Sequence, residues 1–248
     1  MRVSTVFLLA AVISLAATAG ASGWSVAASY PAPAPNARGI ACDGAPYAFS
    51  VLCDGSPPRV YNLFRPSEYI TLAVPSGAWG LTVWERDTVT VSNYNNSYIY
   101  KLTTTGSLIS SFRCPKAHPA DLSGQYYKNY VAIPEENLAL ELTTTGSVVS
   151  SLRGPGTRLT AIQANYSTDG VIGDPATHRV YFLGFGTFPL GAPAGVWADR
   201  KTCDNDHEPP YMFVWVVDAA TNYIFQLCYS GGENIKPASF GRVKALFK

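Results

Sequence analysis

Short apolar runs separated by turn-forming residues fill the chain from Trp24 onward, and none keeps a 3.6-residue rhythm over a useful length. The clearest series ends in Leu: "VYNL" at Leu63, "IYKL" at Leu102, "ALEL" at Leu142, "VYFL" at Leu183 and "IFQL" at Leu227. The spacings are 39, 40, 41 and 44 residues. Nine positions before each Leu stands Asp54, Asn93, Ile133, Asp174 or Asp218, so four of five copies carry a turn residue at one phase. A second apolar run precedes that turn ("YAFSVLC", "TVTVS", "NYVAI", "GVIG", "MFVWVV"). An innermost run opens each copy ("RGIA", "WGLT", "ADLS", "TAIQ", "WADR"). An outer run such as "SLISSF" closes it, so each unit predicts four short strands.

Two adjacent units have kept nearly the same text. "KLTTTGSLISSFRCP" from Lys101 and "ELTTTGSVVSSLRGP" from Glu141 agree at ten of fifteen positions. Four antiparallel strands in a repeat of about 40 residues are the pattern of a β-propeller blade. The repeats are read as 38–78, 79–119, 120–159, 160–196 and 197–232, with a tail at 233–248. "WSVAASYPAP" from Trp24 aligns with the fourth strand "GSVVSSLRGP", so residues 24–34 are expected to complete the last blade and close the ring, removing an exposed sheet edge. The expectation is an all-β chain forming one propeller of five blades, with six as the alternative.

"RGIACDG", "SNYNNSYIYKLTTTGSLISSF" and "DAATNYIFQLCYSGG" resemble the NHL and six-bladed TolB-like propeller proteins, in the form found in secreted bacterial proteins of unassigned function. The resemblance spans about Trp24 to Gly232 and implies the fold rather than an activity. Five repeats stand where that family usually has six, and neutral residues largely replace its charged turn.

Composition narrows the function classes. Charged residues are 14% of the chain and the net charge is +1, without a Lys/Arg cluster, so no basic face displaces counterions from nucleic acid. Met1-Arg2, the apolar run from Val6 to Ala17 and the small residues Ala19-Gly20-Ala21 read as a signal peptide over residues 1–21, leaving 22–248 as the propeller. No later segment has the length of a transmembrane helix. A secreted, periplasmic or cell-surface monomer is expected. Of the five cysteines, Cys42, Cys53, Cys114, Cys203 and Cys228, at least one must stay unpaired. A hairpin turning over residues 43–46 sets Cys42 and Cys53 too far apart to bridge, and no pairing is assigned.

Candidate chemistry is sparse. The repeated Asp54, Asn93, Asp174 and Asp218 are read as turn formers, since Asx side chains fold onto the backbone two residues ahead. The loop "CDNDHE" gathers Asp204, Asp206, His207 and Glu208, a set able to hold Ca2+, although it lacks the Gly and distal Glu of an EF-hand. Otherwise no cofactor is implied. Asp121 and Asp199 stand in inner runs, with Glu85 after another, and paired carboxylates at a channel mouth would suit glycoside hydrolysis. There is no G-x-S-x-G, and His118, His178 and His207 fall in separate loops. Trp79 and Trp197 align at the start of inner strands, with Trp84 and Tyr94 nearby, and exposed rings at a channel mouth suit ligand binding. The leading expectation is a non-enzymatic scaffold binding a protein, peptide or glycan across the channel face. The alternative is a glycoside hydrolase-like or metal-dependent hydrolase using Asp121, Asp199 or Glu85.

Overall fold

The computed structural model describes residues 23–42, 47–84, 88–125, 128–163, 170–182, 186–199 and 213–229. Residues 1–22, 200–212 and 230–248, with five short internal segments, lie outside them. Among the described residues, twenty strands form five separate four-stranded antiparallel sheets. After β1 (Trp24–Pro31), blade 1 is β2 (Ala37–Cys42), β3 (Phe49–Cys53), β4 (Arg59–Asn62) and β5 (Arg65–Thr71). Blade 2 is β6 (Ala78–Trp84), β7 (Thr88–Asn93), β8 (Tyr98–Thr103) and β9 (Leu108–Arg113). Blade 3 is β10 (Leu122–Gln125), β11 (Lys128–Ile133), β12 (Leu138–Thr143) and β13 (Val148–Arg153). Blade 4 is β14 (Ala161–Gln163), β15 (Val171–Asp174), β16 (Arg179–Phe182) and β17 (Gly186–Pro189). Blade 5 has β18 (Pro193–Asp199), β19 (Phe213–Asp218) and β20 (Tyr223–Tyr229), completed on its outer edge by β1. The chain is a five-bladed propeller closed by its N-terminal strand.

Each blade is an ordinary twisted sheet with a side chain on both faces, so its apolar residues must be covered by both neighbours. The core is accordingly divided into five clusters, one at each blade boundary. Between blades 4 and 5, Trp24 is 5% exposed and stacks on Phe182 at 3.5 Å between ring centroids, with Tyr229 at 5.1 Å. Burying an aliphatic or aromatic side chain stabilises by about 1.5–3 kcal/mol, so the closing strand is held by its first residue as well as by its ladder.

The twin turns are the same object. Gly106 (φ 88°) and Gly146 (φ 91°) take the left-handed conformation that favours glycine. In each, the Ser N–H (Ser107, Ser147) donates to the first Thr hydroxyl (Thr103, Thr143) at 3.0 Å. Asn93, Asp174 and Asp218 behave as turn formers, each accepting from the backbone N–H two residues on, whereas Asp54 accepts from Gly77 and Ala78 at the entry to β6. Asp174 Oδ1 accepts from the Ala176 and Thr177 N–H groups at 2.8 and 3.2 Å, and its Oδ2 from Thr157 and Arg158 in the segment leading to β14. Burial raises the Asp174 pKa, but those four backbone donors outweigh it and hold the carboxyl below its usual range. Blade 3, with Ile133 at this phase, uses a 3-10 turn (Pro134–Glu136) and a left-handed Asn137, whose amide spans to Gly154, Gly156 and Leu159.

The pairing of β2 with β3 sets Cys42 opposite Phe49 and Cys53 opposite Ala37, at opposite ends of the hairpin. Burial raises the Cys53 thiol pKa to about 12. Cys228 on β20 is disulfide-bonded, a pairing that residue spacing did not assign.

Candidate functional site

The turns between second and third strands and the segments leading into the inner strands share one face of the disc, here called the upper face. Inner strands converge on the axis from this side. Register aligns Gly39, Gly80, Asp121, Ala161 and Gly195, each one residue before Ile40, Leu81, Leu122, Ile162 or Val196, which pair in turn with Val51, Val91, Val131, Ile172 and Val216 of the second strands. The approach is close enough to require these small residues. A Cβ on Gly80 would stand 2.5 Å from Leu122 N, and one on Gly195 would stand 2.3 Å from Arg38 O.

Asp121 is the one long side chain in this layer, and it is 0% exposed. Its Oδ2 accepts from Ile162 N at 3.0 Å and Val196 N at 3.1 Å, tying blade 3 to blades 4 and 5. Burial pushes its pKa well up, and N–H donors from Ile162, Val196 and Leu122 only partly oppose this. Oδ1 has no hydrogen-bond partner among the described residues. A carboxyl so enclosed plugs the axis and satisfies backbone donors. It is closed to a sugar ring.

Asp199 ends β18 opposite Phe213, at the other end of the inner strands from the Asp121 layer. Four residues at about 3.3 Å each separate the two levels along the strand. Glu85 lies outside the described residues, as do Asp204, Asp206, His207 and Glu208. Among the described residues no group of three metal-ligating side chains assembles.

The aromatic candidates divide differently from their alignment in sequence. The fifth inner strand begins at Pro193, so Trp197 is the fifth residue of β18, opposite Trp215, while Trp79 is the second residue of β6. They do not share a slot: Ala194 is the counterpart of Trp79. Trp84 ends β6 opposite Thr88, away from the upper face.

Trp79 and Tyr94 do meet. The Trp79 indole N–H donates to the Ala194 carbonyl at 3.1 Å, reaching from blade 2 to blade 5 past the inner strand of blade 1. Over this ring, 4.7 Å from its centroid, lies the guanidinium of Arg38, the equivalent residue of blade 1. Tyr94 packs on Trp79 at 4.9 Å, and His118 on Tyr94 at 4.7 Å. All four side chains are partly exposed. His118 Nδ1 is 2.9 Å from the Tyr94 carbonyl, which places a proton on that nitrogen. The Tyr94 hydroxyl donates to Glu135, and Arg158 stands 3.7 Å from the same carboxylate. Burial, then the Glu135 hydrogen bond and charge, raise the Tyr94 pKa.

Arg38, His118, Glu135 and Arg158 were not singled out as site residues in the sequence. The equivalence of Arg38 with Trp79 is readable from "RGIA" and "WGLT". His118, Glu135 and Arg158 carry no such signal, because His118 and Arg158 lie in connections between blades and Glu135 in the turn after β11.

No family model and no curated protein matches the chain. Among solved structures it is similar to a glutaminyl cyclase from Myxococcus xanthus, with a TM-score of 0.61 at 9% identity, covering 82% of this chain and 95% of that one. A streptogramin B lyase matches with a TM-score of 0.49 at 18% identity, over 80% of this chain and 67% of that one. At 9% identity the likeness to the cyclase is one of fold alone, and the fold of this chain is the five-bladed β-propeller built above.

Proposed function

We propose that this protein is an exported, non-enzymatic propeller that binds a peptide, protein or glycan on its upper face, around Trp79 and Tyr94. The carrying observation is the stack of Arg38, Trp79, Tyr94 and His118, partly exposed and lying over an axis that Asp121 and a layer of Gly and Ala fill. Aromatic and guanidinium groups held by packing present contact area at low entropic cost, the composition of binding hot spots. The disulfide at Cys228 supports an oxidising compartment, in keeping with the leader-like N-terminus. Hydrolysis at the axis has less support, since Asp121 is enclosed and Asp199 stands at another level.

A peptide and glycan array probed with the exported chain tests this reading, with Trp79→Ala and Tyr94→Ala beside it. Hits that weaken by about tenfold or more in either variant, with unchanged thermal unfolding for Tyr94→Ala, are the expected result; ring truncation at a hot spot removes this much. Hits indifferent to both substitutions would move the binding surface elsewhere.

A further inference from the structure

Asp121 and Trp79 are joined through three consecutive residues of β18. The Val196 N–H donates to Asp121 Oδ2 at 3.1 Å, and the Ala194 carbonyl accepts from the Trp79 indole N–H at 3.1 Å. Gly195, between them, lies against the neighbouring inner strand. A Cβ there would stand 2.3 Å from Arg38 O and 2.9 Å from Gly39 Cα. Arg38 in turn carries the guanidinium that covers the Trp79 ring. Close-packed interiors transmit a displacement rather than absorb it. A movement of β18 at Val196 therefore reaches the indole by two routes, through Ala194 and through Arg38.

The carboxyl at the other end has the geometry of a neutral acid. Ile162 and Val196 both donate to Oδ2, as to a carbonyl oxygen, and Oδ1 has no hydrogen-bond partner among the described residues. An ionised carboxylate accepts at both oxygens, and a buried charge needs a counter-charge. The surroundings offer none. The rest of the layer is Gly39, Gly80, Ala161 and Gly195, and the Ser92 and Thr160 hydroxyls beside it donate to the Ala120 and Pro193 carbonyls. The other charged residues of the inner strands are Arg38, turned over Trp79, and Asp199, at the far end of β18. On the second strands, Lys128 stands opposite Gln125 at the far end of β11, and Asp174 and Asp218 accept from backbone N–H groups of their own turns. Burial, which raises the carboxyl pKa, acts in the same sense.

We propose that Asp121 is a proton switch for the upper face: with its proton it pins β18 and β14 to blade 3, and without it the axis loosens and Trp79 moves with β18. A charge formed at this enclosed site has only water to satisfy Oδ1, so the inner strands must part to admit it. The upper face is thus ordered below the transition and loosened as pH rises through it. Asp121 is a positioning residue here, acting through Ala194 and Arg38. The coupling is a property of the fold; its consequence for binding rests on the face-binding reading.

The test is fluorine NMR of the exported chain labelled with 5-fluorotryptophan. Trp79 is one of five tryptophans, and its resonance is the one lost in Trp79→Phe. That resonance is expected to move with pH in a single step, with a midpoint above the ordinary carboxyl value of about 4. The step should be absent from Asp121→Asn, whose amide stands in for the neutral acid. His118 and Tyr94 are the titratable groups of the stack itself, so His118→Gln and Tyr94→Phe are measured alongside and should keep the step. A Trp79 resonance that does not titrate, a step that survives Asp121→Asn, or one lost in His118→Gln or Tyr94→Phe would each overturn the switch. A measurement on the wild type needs no folded Asn variant: the Asp121 carboxyl carbon must titrate with the same midpoint as the Trp79 resonance, and two different midpoints also overturn it. All of these outcomes leave the face-binding reading standing. That reading fails separately, on an array without Trp79- or Tyr94-dependent ligands, and the Trp79 step would then still be seen.

Discussion

Asp121 shows how one residue's role changes once its surroundings are known. In sequence it is an acid at the start of an inner strand, a fit position for catalysis. In the fold its Oδ2 holds the N–H groups of Ile162 and Val196, and its folded-state pKa is raised by burial. A folded carboxyl with a raised pKa binds more protons than the unfolded chain, so its contribution to stability declines as pH climbs from about 4, the ordinary carboxyl value, to the raised one. Asp121→Asn keeps an oxygen acceptor and removes the titration. Urea unfolding from about pH 4 upward should therefore show the variant without that decline. Asp121→Ala should instead lose about 1–3 kcal/mol for each backbone donor left unsatisfied. Identical pH profiles for wild type and Asn variant would contradict this account. The type and approximate place of Asp121 were legible in sequence. Its enclosure was not, because the two donors lie 41 and 75 residues away.

At the scale of strands and turns, the most demanding positions are those where inner strands crowd the axis. Gly80→Ala would drive a Cβ to 2.5 Å from Leu122 N and 2.6 Å from Ala120 O, both backbone atoms that cannot swing aside. At Gly124 the added Cβ meets only the Thr82 side chain, at 3.0 Å. Gly80→Ala is expected to destabilise by about 1–3 kcal/mol, the usual cost of overpacking. Gly124→Ala should cost clearly less, and chemical denaturation of the two variants compares them. Equal losses would argue against a tight axial layer. Turn chemistry was readable here: "TTTGS" becomes the same glycine-centred turn in blades 2 and 3 because all its hydrogen bonds are local. The phase of β18 was not. "GVWAD" offers several apolar starts, and only contact with the neighbouring inner strands places Gly195, rather than Trp197, at the crowded level.

The whole ring depends on β1, which supplies the fourth strand of blade 5 and its Trp24 anchor. Removing residues 24–31 exposes the β20 edge and the Phe182–Tyr229 cleft. Loss of the Trp anchor alone costs about 3–5 kcal/mol, and an open edge pairs readily with another chain. The truncated protein should melt earlier and elute as oligomers from a sizing column, whereas an unchanged melting temperature and elution would mean the ring closes without this strand. Closure was foreseeable from sequence, since a lone fourth strand at one end and a three-stranded unit at the other fit only each other. By itself the sequence determined the repeat, the strand count per blade, the local turns and the five-blade ring, all of which follow from periodic burial and short-range hydrogen bonding. The tertiary structure alone decided which side chains meet at the axis and on the upper face. Arg38, Trp79, Tyr94, His118, Glu135 and Arg158 come from three successive repeats, and the packing of neighbouring blades, which no local pattern encodes, joins them in one chain of contacts.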